Sequence, residues 1–345
     1  MSTRQQSPSM SSRERIRTII AGQPADRCGL WLGNPHEDTW PILHRYFNTT
    51  TEEDLRRKLG DDFRWFPADL FPGVYCHPKG RQMFDLGMEK HDHGQAGPFA
   101  DIEDVRQLDS YEWPNPKYLS FDPCLKAIEK IGNFYRASGF WTSFYHNVMD
   151  YFGMEKFMMN MYENPELVHA VTDRVCSFYY EANERLFNTA GDLIDGFFFG
   201  NDLGTQLDLI CGPRQFDEFI LPWIQKFTAL AHRHGYQVIL HSCGSIHKVI
   251  DRLIDAKVNC LHPLQTKACN MDAETLARDF KGKIAFMGGI DTQYLLVHGT
   301  HEEIQADVRR VKELLGPCLI VSPSHEALLP DVPPENVRAM VEAAR

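Results

Sequence analysis

Residues 236–244 read Tyr-Gln-Val-Ile-Leu-His-Ser-Cys-Gly. A run of β-favouring apolar residues stops abruptly at a histidine, a serine, a cysteine and a glycine, so a buried strand is expected to deliver two metal-grade side chains at its carboxyl end. In an extended chain, residues two apart project from the same side, with Cα atoms about 6.5 Å apart at about 3.3 Å of rise per residue. His241 and Cys243 can then lean toward one ion, since zinc bonds to nitrogen and sulfur are about 2.0 and 2.3 Å long. Gly244 lets the backbone turn behind them. Alone the pair is a weak signal, because cysteine is often a small buried hydrophobe and histidine a satisfied strand-end residue.

The pattern of apolar strand, polar end and helix recurs on both sides of this stretch. Upstream, a helix over 165–189 leads into an apolar strand over 193–199 that ends in Gly200-Asn201-Asp202-Leu203-Gly204-Thr205-Gln206. Pro213 then opens a helix at its favoured first position, with Phe216, Phe219, Ile220, Trp223, Phe227 and Leu230 on its apolar face. Downstream, the spacing predicts a helix over 247–255, a strand over 258–261, a helix over 272–280 and a strand over 283–287 that runs into Gly288-Gly289-Ile290-Asp291. A helix over 302–315, a strand over 318–321 ending in Ser322-Pro323-Ser324-His325-Glu326, and a last helix opened by Pro334 complete the series.

The amino-terminal half is less regular. Ser11 or Ser12 is placed to cap a helix over 13–21, and residues 28–33 form a first strand followed by the polar loop 34–38. A helix starts near Thr50–Glu53, a short strand falls within 63–70, and Trp113-Pro114-Asn115-Pro116 marks a break. Residues 122–137 carry helical spacing and 139–145 a strand pattern. The aromatic and methionine stripe over 148–161 reads as core. Residues 1–10 are polar and read as a loose tail, and residues 11–345 as one domain.

Strands alternating with helices define a parallel sheet covered by helices, and the continuously apolar strands agree with burial on both faces. No GxGxxG follows a strand and no P-loop occurs, which removes the main support for nucleotide binding. Special residues follow strand after strand: Asp202, His241 with Cys243, Gln265, Asp291 and His325. That distribution is expected of a single (β/α)8 TIM barrel of the α/β class, here with an N-terminal extension, whose site lies at the carboxyl face.

Composition narrows the function. Lys plus Arg number 36 against 47 Asp plus Glu, a net charge of −11, with the basic residues scattered, which argues against a nucleic-acid partner. No apolar run reaches 18 residues and no charged-then-apolar leader is present, so the expectation is a cytoplasmic protein that does not enter membranes. The nine cysteines lack framework spacing, and an odd count fits reduced thiols. His77, His91 and His93 sit in a stretch punctuated by glycine and proline and read as solvated loop, since no fixed outer partner for a metal ligand is evident.

Taken together, Asn201–Gln206 (NDLGTQ), His241–Ser245 (HSCGS), Gly288–Gln293 (GGIDTQ), residues 322–337 (SPSHEALLPDVPPENV) and the opening residues 11–27 (SSRERIRTIIAGQPADR) resemble the uroporphyrinogen decarboxylase superfamily. The resemblance covers nearly all of residues 11–345 and implies one (β/α)8 barrel. Two chemistries occur in that superfamily. Its decarboxylases work without metal on a tetrapyrrole rich in carboxylates, which they hold with arginines in a motif like RQAGRY. Here the corresponding stretch, 30–38, has Glu37 and Asp38 and no arginine, so such a substrate would meet repulsion.

The other branch holds corrinoid-dependent methyltransferases, which use zinc to activate a thiol or related acceptor or to assist demethylation. By that resemblance the zinc ligands are His241, Cys243 and, at the C-terminal position, His325, imidazole being a suitable replacement for the cysteine common there. Asp202 and Asp291 are the candidates for catalytic roles, orienting ligands or taking a proton, and capping the next turn is their alternative. Trp31 and Tyr145, with Trp65 and Trp141, offer an apolar wall for a corrin face or an aromatic methyl ether, with core packing as their equal alternative, and Gln206, Gln265 and Glu326 are further substrate contacts. The expected function is zinc-dependent methyl transfer between a corrinoid on a partner protein and a small-molecule donor or acceptor. A metal-free decarboxylase and a barrel that only binds a corrinoid or metal remain the alternatives.

Overall fold

The computed structural model describes residues 9–87 and 95–345. Residues 1–8 of the expected tail, and His91 and His93, lie outside the described residues. Eight strands form one sheet: Gly29–Leu30 (β1), Phe63–Pro67 (β2), Tyr135–Gly139 (β3), Gly196–Gly200 (β4), Gln237–His241 (β5), Cys260–Leu264 (β6), Ala285–Ile290 (β7) and Leu319–Pro323 (β8). Their order is β1-β8-β7-β6-β5-β4-β3-β2, with every recorded pair parallel and helices between successive strands, the arrangement of a (β/α)8 barrel.

The seam between β1 and β2 is closed by side chains as well as backbone. Asp62 N–H donates to Leu30 O at 2.9 Å, while Leu30 N–H donates to the Asp62 carboxylate and Leu32 N–H to that of Asp61, both at 3.1 Å. Two aspartates thus accept the N–H groups that a ladder would otherwise pair. Arginines surround them: Arg15 and Arg27 bind Asp62, and Arg56 binds Asp61.

Alternation along the strands sorts the side chains. Phe198, Ile239, Cys260, Ala285, Met287 and Ile320 fill the barrel interior with Trp31, Phe63 and Tyr135, and Ile16 and Ile19 of the helix Ser12–Ile20 pack against this cluster. Phe197, Phe199, Val238, Leu240 and Leu261 face outward into the larger core beneath the helices. A residue two beyond an inward one is inward too. His241 follows Ile239 and His262 follows Cys260, so the top interior layer becomes polar.

Element bounds differ from the expected ones in several places, the first strand shortening to Gly29–Leu30 and β7 running on to Ile290 among them. The helix expected over 122–137 ends at Glu129, and β3 is Tyr135–Gly139, with the segment to Tyr145 supplying a loop and the start of the helix Phe144–Phe152. Tyr135 and Ala137 belong to the barrel interior, and that tertiary burial overrides their helical spacing. β6 runs to Leu264 rather than ending near Leu261, which makes His262 a strand residue. The helix opened by Pro213 carries a π turn over Phe216–Ile220, just before Pro222, whose missing N–H cannot continue the ordinary ladder.

Candidate metal centre at the carboxyl end of the barrel

Register places the two central histidines side by side, with His241 of β5 opposite His262 of β6. Their Nδ1 atoms are 3.0 Å apart. On the other edge of its ring, His241 Nε2 lies 3.2 Å from Asp202 Oδ1 and 3.4 Å from Cys243 Sγ. Atoms about 2.0 and 2.3 Å from one ion and 3.4 Å from each other subtend about 100° at it, close to the tetrahedral angle zinc prefers.

The loops after β4 and β5 hold this geometry together. Cys243 N–H donates to Asp202 Oδ1 at 3.0 Å, Leu203 N–H to Ser242 Oγ at 3.0 Å, and Ser245 N–H to Thr205 O at 2.7 Å. Gly244 has φ +79, and a Cβ there would stand 2.4 Å from the backbone of Gly204, so the two motif glycines are what lets the loops touch. Gly244 N–H donates to Gln265 Oε1 at 2.7 Å, and Gln206 bonds the same oxygen at 3.3 Å.

Strand β8 brings its pair to the opposite side. Glu326 Oε2 is buried, has no hydrogen-bond partner among the described residues, and lies 3.6 Å from His325 Nδ1 and 3.9 Å from His241 Nδ1. Three groups have ligand atoms mutually within 4.8 Å: Asp202, His241 and Cys243; His241, His262 and Glu326; and Cys243, His325 and Glu326. The expected set of His241, Cys243 and His325 is therefore divided between the first and third groups. His325 Nδ1 already accepts the Ala327 N–H at 3.1 Å, so its neutral ring carries the proton on Nε2, which suits it to donate to a substrate.

Electrostatics leave this end short of positive charge. Among the described residues no lysine or arginine pairs with Asp202 or Glu326, whose ion-pair partners are histidines. Burial, and then the Asp202 and Glu326 carboxylates, push the Cys243 thiol far up, so a cation is needed to make it a thiolate. Burial raises Asp202 too, but the His241 hydrogen bond and charge and the Cys243 N–H outweigh it and hold its carboxyl well below the ordinary range. Burial drives His262 well below the ordinary histidine value, with His241 and His325 adding to the effect. An orphaned carboxylate oxygen, a thiol and facing imidazoles without a cation form a donor set that fits zinc.

A cavity of about 460 Å³ opens beside this cluster, lined among others by Gln206, Gln265, Lys267, Asp291, His325 and Asp331, and by no arginine. Asp291 spends both oxygens on the following turn, accepting N–H groups of Gln293, Tyr294 and Leu295 at 3.0 to 3.2 Å. That is capping, the alternative given for it above. Trp31 is enclosed within the interior cluster against Phe63, Phe198 and His262, and Tyr145 is buried between the helix Phe144–Phe152 and Phe157, so neither presents a face to the cavity mouth. Trp65 and Trp141, half-buried against that interior cluster and 5.0 Å apart by centroid, come nearer the site, with Trp141 another 5.0 Å from the His241 ring.

Two residues escaped the sequence reading. His262 lies just past the expected strand end at Leu261, three residues short of the observed one; its signal is the parity with inward Cys260. Asp69, just after β2, accepts the Trp141 N–H at 2.9 Å. Burial lifts its carboxyl to about 6, the Trp141 bond opposing this only in part. A lone Asp before a Leu-Phe-Pro-Gly turn gives no such warning.

The family model of uroporphyrinogen decarboxylase (URO-D) matches residues 85–345, and the chain belongs to that family. A solved methyltransferase from Methanosarcina mazei shares its fold, with a TM-score of 0.69 at 16% identity over 97% of this chain and 98% of that one. No curated protein matches the chain. No helix among the described residues is long and apolar enough to cross a membrane.

Proposed function

We propose that this barrel is a zinc-dependent methyltransferase, passing a methyl group between a corrinoid carried on a partner protein and a small donor or acceptor. The observation that carries the reading is the 3.4 Å approach of His241 Nε2 to Cys243 Sγ, beside carboxylates without lysine or arginine partners among the described residues. The M. mazei fold relative, itself a methyltransferase, agrees with it. His241 and Cys243 are the anchors, and Asp202 or Glu326 supplies the third donor.

Zinc bound there supplies positive charge that keeps a coordinated thiol as thiolate at neutral pH. The chain does the rest. Asp202 fixes the Cys243 backbone, Gln265 holds the Gly244 turn, and Trp141 stands 5.0 Å from the His241 ring on the strand β2–β3 side. His325 Nε2–H faces a ligand as donor. In the direction toward a thiol, a corrinoid would supply the methyl group to the sulfur and the thiol proton would pass to water in the cavity.

Elemental analysis of the purified protein tests this reading: about one zinc per chain is expected, lost in His241→Ala, together with methyl exchange with methylcobalamin in the presence of the right small substrate. Protein free of zinc that consumes uroporphyrinogen would sink it. That second reading, a metal-free decarboxylase, draws on the family model and on Asp69, a carboxyl that can carry a proton near pH 6. The arginine-free cavity, and Glu37 and Asp38 exposed on the loop after β1, oppose it.

A further inference from the structure

The His241 ring has two edges, and only one belongs to the cysteine. On the Nδ1 edge stand His262 Nδ1 at 3.0 Å and Glu326 Oε2 at 3.9 Å, all three groups mutually within 4.8 Å. His262 is 1% exposed, and its other nitrogen finds no partner among the described residues. A single proton between the two Nδ1 atoms satisfies that pair as a hydrogen bond, but it leaves Glu326 Oε2 buried and unpaired. A divalent cation would satisfy all three.

We propose that His241 Nδ1, His262 Nδ1 and Glu326 form a second divalent-cation position, on the opposite edge of the His241 ring from Cys243. It goes beyond the zinc reading and stands without it. Distances separate the two positions by class of metal. Two nitrogens 3.0 Å apart and each about 2.1 Å from an ion subtend about 90°, the cis angle of an octahedron. Two imidazoles and one carboxylate with further positions open suit Fe2+, Mn2+, Co2+ or Ni2+, whereas the sulfur side suits tetrahedral zinc. Glu326 needs to move inward by about 1 Å to complete the set, and its side chain retains 28% exposure and rotamer freedom to do so.

The two positions exclude one another. A neutral imidazole has one lone pair. With Nε2–H donated to Asp202, 3.2 Å away, the lone pair faces His262 and Glu326. With Nδ1–H donated to His262, it faces Cys243. The tautomer of one residue therefore selects between an N2O site and a sulfur site, and Asp202 on the far nitrogen plays for the N2O site the orienting part that carboxylates play for metal-bound histidines.

Cobalt(II) titration of metal-stripped protein decides the matter, because cobalt reports its ligands by colour. Cys243→Ala is expected to bind one Co2+ per chain with weak, six-coordinate d–d bands and no thiolate-to-cobalt absorption. Adding Glu326→Gln or His262→Leu to that variant should weaken binding at least about tenfold, with thermal unfolding followed as the folding control. Should His262→Leu not fold, Glu326→Gln at the rim carries the test. No cobalt on Cys243→Ala, or equal binding in the double variants, overturns the second position and leaves the zinc reading standing. Wild type that binds cobalt without a thiolate band, and loses it on Glu326→Gln, supports the second position and removes the zinc reading. No binding by wild type overturns both.

Discussion

The two ends of this barrel carry the same chemical groups in opposite states of completion. At the amino end Asp61, Asp62 and Asp195 are wholly enclosed, and every one meets arginine: Asp62 binds Arg15 and Arg27, Asp61 binds Arg56, and Asp195 binds Arg13 and Arg17 at 2.7 and 3.3 Å. At the carboxyl end Asp202 and Glu326 face imidazoles and a thiol, and among the described residues no arginine or lysine pairs with them. The first end is finished by the chain itself. At the second, these two carboxylates have no lysine or arginine partner among the described residues, and a ligand that brings positive charge to them gains what the fold withheld.

The largest effect expected from breaking this contrast is at the finished end. Asp62→Ala leaves Arg15 and Arg27 without their shared carboxylate and removes the acceptor for Leu30 N–H, so stability should fall by about 3–5 kcal/mol, measured by urea unfolding. A loss below about 1 kcal/mol would show that the network is dispensable and the comparison empty.

Asp69 provides the opposite case, a carboxyl that the fold makes costly to ionise. Its pKa rises from the ordinary value near 3.8 to about 6, so between those values the folded state binds more proton than the unfolded one. Stability from this group is therefore greatest below about pH 4 and declines as pH rises through 6. Asp69→Asn should stabilise the protein by about 2 kcal/mol at pH 7.5 and by almost nothing at pH 4. Unfolding curves of the variant and wild type that stay parallel across this range would contradict the assignment.

Asp291 sits at the carboxyl end but is compensated by backbone N–H groups. Asp291→Ala should cost about 1 kcal/mol through the lost acceptor for the turn's N–H groups while metal content stays at the wild-type level. A variant that instead loses metal with stability intact would return Asp291 to the site. Smallest of all, Glu326→Gln should alter the stability of metal-free protein by no more than about 0.5 kcal/mol, because that carboxylate has no cationic partner to abandon, while metal affinity falls. Calorimetry with and without added metal separates the two.

Much of this was legible in the chain. The alternation of apolar runs with helical spacing specifies a parallel barrel, and the strand-end segments NDLGTQ, HSCGS and SPSHE mark its working face. The reading failed where one residue of register mattered. Ending β6 at Leu261 hid His262, and placing β3 after Gly139 misread Tyr135 as helical, because local periodicity cannot say which short apolar run is buried on both sides. Trp31 and Tyr145 follow strands as sites do, yet their rings turn into the core, since nothing in spacing distinguishes an aromatic wall from an aromatic plug.

What the sequence by itself determined is therefore the kind of barrel, its polar face, and the His241–Cys243 pair, because strand periodicity fixes neighbours two residues apart. Only the tertiary structure decided that His262 and Glu326 meet the other edge of the His241 ring, that His325 Nδ1 is already engaged, and that arginines complete one end of the barrel and not the other. The His241–His262 and Arg13–Asp195 contacts, for instance, join residues 21 and 182 positions apart. They are set by strand register and loop closure, quantities that no local pattern of residue types encodes.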